Sequence, residues 1–129
     1  MNPELRDAIA TFNRRRYFEA AEQFERAIAA VDSELKELVG ALNRVAAALH
    51  LRFRRGGRQA SINLLSQAMF TLEDFKPSRA GIDVERLSLE LSAYTEELRA
   101  SPRGELSGIR HGARLFVERR RAPKIRVSG

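Results

Sequence analysis

Cysteine and tryptophan are absent from this chain of 129 residues, and histidine occurs only twice, at His50 and His111. Without cysteine there can be no disulfide, no thiol nucleophile and no zinc–thiolate site, so any metal would have to be held by histidine and carboxylates. Glycine and proline are scarce, at 8 and 4 residues, as in a folded globular chain. No apolar run approaches the ~20 residues that a membrane-spanning helix needs. The N-terminal MNPELRDAIATF carries acidic residues where a secretory signal would be basic and then apolar. These absences lead us to expect a cytoplasmic protein with no membrane partner.

What is present suits a folded chain: 43% hydrophobic and 31% charged residues, and a length that fits one domain burying roughly two-thirds of its unfolded surface. The charge is unevenly placed. Residues 1–100 carry 15 basic and 15 acidic side chains, whereas residues 101–129 carry 8 and 2, so the whole net charge of +6 belongs to the end of the chain. The expected organisation is a helical domain over 1–100 and a basic C-terminal arm over 101–129, extended or partly disordered, with strand-like alternation at Leu115/Val117 and Ile125/Val127.

Helical periodicity runs through the first 100 residues. Leu5, Ile9 and Phe12 form a stripe in a first helix that Asn2 caps and Pro3 opens. The stretch FNRRRYFEAAEQFERA holds a helix stop, a basic turn and a restart, and its second helix repeats Tyr17, Ala21, Phe24, Ile28 and Val31 at alternating spacings of 4 and 3. A third helix from Ser33 to about Arg54, capped by Asp32 or Ser33, carries Leu35, Leu38, Leu42, Val45 and Leu49. Its small residues Gly40, Ala41, Ala46, Ala47 and Ala48 are expected to let neighbours approach closely. The fourth helix spans about Arg58 to Phe75, and Asp83 caps a fifth with Val84, Leu87, Leu91, Tyr94 and Leu98 on one side. The expected fold is all-α: a compact bundle of five main helices, two hairpins plus a closing helix. The turn-plus-helix segments Arg16–Ala27 and Gly56–Ala68 are loosely alike, as in tetratricopeptide-like packing.

Read together, FNRRRYFEAAEQFE, LVGALNRVAAALHLRFRRGG, LLSQAMFTLEDFKPSRAGIDVERL and the terminal PKIRV resemble the DUF309 family of small all-helical proteins. The resemblance covers most of residues 8–100, and FKPSRAGIDVERL is its most specific passage. It implies a polar, metal-like site on the second helix, where the family reads EAHExxE followed by tryptophan. Glu19, Glu22 and Glu25 fall on those glutamates, but Ala21 stands at the histidine and Ile28 or a neighbour at the tryptophan. His50 matches a further family histidine.

Three site readings follow. Glu22, Glu25 and His50 form the candidate metal set, two carboxylates at i,i+3 and an imidazole on another helix; the alternative is that the glutamates pair with arginines at the bundle edge while His50 packs. With Phe18, the same residues line an expected groove between the second and third helices. Arg110, Arg114, Arg119, Arg120, Arg121, Lys124 and Arg126, beside Phe116, form the candidate nucleic-acid contact, or else a solvated tail. Ser61, Ser66 and Ser107 have no G-x-S-x-G setting, His111 has no dyad partner nearby, and there is no phosphate-binding loop. The sequence therefore leads to a non-catalytic interaction module with no cofactor, a protein partner and a monomeric or homodimeric state. A metal-dependent or hydrolase-like enzyme and a nucleic-acid-binding accessory protein are the alternatives.

Overall fold

A computed structural model describes residues 1–55, 57–100 and 121–128. Five helices run in order: α1 (Pro3–Asn13), α2 (Tyr17–Ala30), α3 (Lys36–Arg55), α4 (Gln59–Leu72) and α5 (Val84–Ala100). Between α4 and α5 lies a two-strand antiparallel hairpin, β1 (Ser78–Arg79) and β2 (Ile82–Asp83), with Ser78 opposite Asp83 and Arg79 opposite Ile82. Each helix packs against the next in sequence, so α1/α2 and α3/α4 form two hairpins and α5 closes the bundle. No described helix is long and apolar enough to cross a membrane.

The local signals explain these limits. Asn2 caps α1, its Oδ1 accepting from the backbone N–H of Glu4 at 2.9 Å and of Leu5 at 3.1 Å. α1 ends in a Schellman turn: the Arg16 N–H donates to the Thr11 carbonyl at 3.2 Å and the Arg15 N–H to the Phe12 carbonyl at 2.8 Å. Asp83 caps α5, its carboxylate accepting from the Arg86 N–H at 2.9 Å.

Elsewhere the boundaries move. Where the sequence places a helix from Ser33 to Arg54, the chain first makes a 3-10 turn over Ser33–Leu35, and Asp32 makes no side-chain cap. The last three residues of the expected fourth helix, Glu73–Phe75, tighten into a second 3-10 turn.

The core is continuous. Phe12, Phe24, Leu38, Leu42, Leu49, Leu65, Leu72, Leu87, Leu91 and Leu98 are all fully buried. Phe12 sits edge-on to Tyr17 at 5.3 Å, and Tyr17 stacks on Phe53 at 5.8 Å, which ties the start of α2 to the end of α3. On α2 the buried side is Tyr17, Ala20, Phe24 and Ala27, with Ala21 and Ile28 only half-buried beside it. On α3, Ala41, Ala46 and Ala48 are fully buried, as close approach requires. Gly40 differs: a Cβ built there would meet nothing within 4 Å, so its missing side chain leaves an open notch and brings no neighbour closer.

The end of the chain is also part of the body. Residues 121–128 form no helix, and they pack against the bundle and the hairpin. Ala122, Pro123 and Ile125 are buried, Val127 bridges to Ile82, and the Ser128 N–H donates to the Gly81 carbonyl at 2.8 Å. Glu90 on α5 accepts from the Lys124 N–H at 3.1 Å and pairs with Arg126 and with Arg86. The backbone here finds its hydrogen bonds on the hairpin, on α1 and on α5. Non-local partners of this kind leave no periodic trace in sequence.

Candidate functional site

Two short basic stretches distant in sequence meet in space. The Schellman turn brings Arg15 and Arg16 to the start of α2, and the Tyr17–Phe53 stack holds the last turns of α3 against it. The result is a groove of about 400 Å³ lined by Arg15, Arg16, Tyr17, Phe18, Glu19, His50, Phe53 and Arg54. Phe18 is 52% exposed, its ring centroid 5.2 Å from that of His50 and tilted by 48°. Exposing a phenyl ring to water is unfavourable, so an aromatic pair at the mouth of a groove is a surface suited to stacking or apolar contact.

The electrostatics point one way. Three guanidinium groups face a single carboxylate, Glu19, among the described lining residues. The N-terminus of α2 opens at the same place with no side-chain cap from Arg16, so its partial positive charge adds to theirs. The backbone carries a further mark. Arg15 has φ 65°, the left-handed conformation that this position of a Schellman turn requires and that glycine adopts at least cost. An arginine is nevertheless found there, with its side chain on the groove wall.

The expected site residues divide. Phe18 and His50 come together in this groove, between α2 and α3. Glu22 and Glu25 do not line it: Ala20, Phe24 and Ala27 take the buried side of α2, and both glutamates are exposed to solvent. Among the described residues no three histidine, cysteine or carboxylate side chains lie close enough to hold a metal ion, so the Glu22/Glu25/His50 set is not assembled. Glu19 is the acidic residue that enters the groove. Arg15, Arg16, Tyr17, Phe53 and Arg54 belong to it without having been singled out from sequence. Their signal was RRRYF and HLRFRR, two basic–aromatic stretches that also read as helix-end chemistry.

Of the basic residues near the C-terminus, Arg110, Arg114, Arg119 and Arg120 lie outside the described residues. Arg121, Lys124 and Arg126 line a second cleft, of about 320 Å³, together with Glu90, Tyr94 and Glu97. Arg126 is paired with Glu90, so the cleft sets cations near the chain's end against acidic residues of α5 and is less one-signed than the aromatic groove.

Fold and groove together define a helical bundle with a basic, aromatic-lined groove between α2 and α3. No protein-family model, curated protein or solved structure matches the chain.

Proposed function

We propose that this protein is a non-catalytic interaction module of the cytoplasm, and a DUF309-like one on the passages quoted above, that binds an acidic segment of another protein in the α2/α3 groove. The observation that carries the reading is Arg15. Left-handed backbone at a non-glycine residue costs roughly 1–2 kcal/mol, and such outliers cluster at functional sites, where the surrounding structure holds the strain. Around Arg15 the groove supplies what an acidic peptide needs: the forked donors of Arg16 and Arg54 for carboxylates and the exposed Phe18 ring for one apolar anchor. Among the described lining residues of the groove there is no serine, threonine, cysteine or lysine to serve as a nucleophile.

Fluorescence anisotropy tests the reading. A labelled peptide rich in Asp and Glu around one Leu or Phe is compared with its Lys-substituted counterpart and with a short oligouridylate. The acidic peptide is expected to bind, with affinity falling as salt rises and dropping about tenfold or more in Arg16→Glu and Phe18→Ala. No retention of the acidic peptide by the wild-type protein would refute the reading. Tight binding of oligouridylate with none of the peptide would assign the groove to single-stranded nucleic acid, for which stacked aromatics beside arginine are equally apt.

A further inference from the structure

At the opposite end of α3 from the groove, α3 and α4 present a second surface of different character, and we propose that it is the contact between two copies of this chain. Its centre is Phe70, 83% exposed, against 65% for Leu89 and 52% for Phe18, the next most exposed large apolar side chains among the described residues. A phenyl ring so fully in water is unusual on a finished surface and common in a contact. Ser66, Gln67 and Thr71 surround it on α4, small or uncharged residues that offer a partner little desolvation cost.

Beside this knob lies a hole. Gly40 on α3 leaves open space where any other residue would place a Cβ, and the hollow it helps to form, about 470 Å³, is lined by Lys36, Glu37, Gly40, Arg44, Phe70, Thr71 and Asp74. A knob and a hole side by side on one face are what an isologous two-fold contact needs, because the rotation that brings Phe70 of one copy over the other's hollow brings the second Phe70 over the first hollow.

The charges choose the occupant. The rim carries two cations, Lys36 and Arg44, and two anions, Glu37 and Asp74. A face meeting its own copy must satisfy itself, and a balanced rim can pair crosswise where a one-signed rim would repel. Nucleic acid or an acidic segment would want the cations without the anions. Lys36 is already oriented, its ammonium donating to the Ile28 carbonyl at 2.6 Å. A two-fold contact here leaves both α2/α3 grooves open, so the dimer would present two binding faces to a partner; the dimer itself does not depend on what the grooves bind.

Sedimentation equilibrium of the full chain over about 5–200 µM, a range that brackets weak specific association, measures the contact directly. The wild type is expected to approach twice its chain mass of 14.6 kDa. Phe70→Glu and Gly40→Trp are each expected to raise the dissociation constant at least tenfold with unchanged circular dichroism, since one position is exposed and the other open. Reversing all four rim charges together preserves self-complementarity, so that variant should dimerise like the wild type yet mix poorly with it. A single-chain mass across the whole range, or a dimer indifferent to both Phe70→Glu and Gly40→Trp, would overturn the proposal.

Discussion

The carboxamide of Asn13 grips the backbone of Ile125 by both polar groups: its Nδ2 donates to the Ile125 carbonyl at 2.7 Å and its Oδ1 accepts from the Ile125 N–H at 2.9 Å. The two residues are 112 positions apart. A side-chain amide here does what a neighbouring strand would do, satisfying both main-chain groups of a residue whose side chain is buried. Because the same segment reaches β2 through Val127 and α5 through Glu90, this grip links the first helix to the last and to the hairpin.

Asn13→Ala removes both bonds and leaves two part-buried main-chain groups without their partner. At about 1 kcal/mol per bond, with a desolvation penalty for the orphaned groups, we expect a loss of about 2–3 kcal/mol. Urea denaturation followed by circular dichroism measures it, with the midpoint falling at constant slope. A change below about 0.5 kcal/mol would mean that the end of the chain contributes little to the bundle.

Arg15→Gly separates stability from binding. Relief of the left-handed backbone returns roughly 1–2 kcal/mol, and the greater freedom of glycine in the unfolded chain takes back about 0.5–1 kcal/mol. The backbone terms alone therefore favour the variant by about 0.5–1 kcal/mol, from which the loss of the Arg15 side chain's own interactions subtracts, and it should bind the acidic peptide less tightly. Thermal melts and anisotropy on one preparation read the two effects. A variant that binds as well as the wild type would show that the side chain has no part in the groove.

The helices were legible because their apolar spacing is dense enough to fix both period and face. Val84, Leu87, Leu91, Tyr94 and Leu98 are all buried as their spacing requires. On α2 the alanines blurred the angle: Ala20 and Ala27 fit the stripe as well as Ala21 and Ile28, and only close packing against α1 and α3 decides in favour of the first pair. That rotation turns Glu22 and Glu25 to solvent and dissolves the expected three-residue site. The arginines of the groove were visible but ambiguous, since RRR after one helix and RFRR at the end of another are also what helix-terminus electrostatics favours. Their convergence depends on a turn and an aromatic stack formed by residues more than thirty positions apart.

The hairpin turn offers a gain in stability away from either proposed surface. Ala80 and Gly81 both have positive φ, 53° and 80°, the pattern of a type I′ turn, for which Asn-Gly is the favoured pair. Asn tolerates the left-handed region better than Ala, so Ala80→Asn should stabilise the protein by about 0.5–1 kcal/mol. Gly81→Ala should cost about 1–2 kcal/mol at its φ, since a Cβ there would meet its neighbours only at an ordinary 3.8 Å and the strain lies in the backbone. Chemical denaturation of both variants checks the opposite signs.

Two buried serines should respond oppositely to the same substitution. Ser61 Oγ donates to the Ala48 carbonyl at 2.9 Å across the α3/α4 contact, so Ser61→Ala loses a bond and leaves a buried acceptor short, at a cost of about 1 kcal/mol. Ser88 on α5 is 6% exposed, and among the described residues its Oγ has no hydrogen-bond partner. There the hydroxyl contributes only its desolvation, and alanine has the better helix propensity. Ser88→Ala is therefore expected to stabilise by about 0.5–1 kcal/mol. The two variants should differ by about 2 kcal/mol in urea denaturation, although side chain, helical setting and replacement are alike. Equal destabilisation would place a hydrogen-bonded water on Ser88, which amide exchange and a high-resolution map of α5 would reveal.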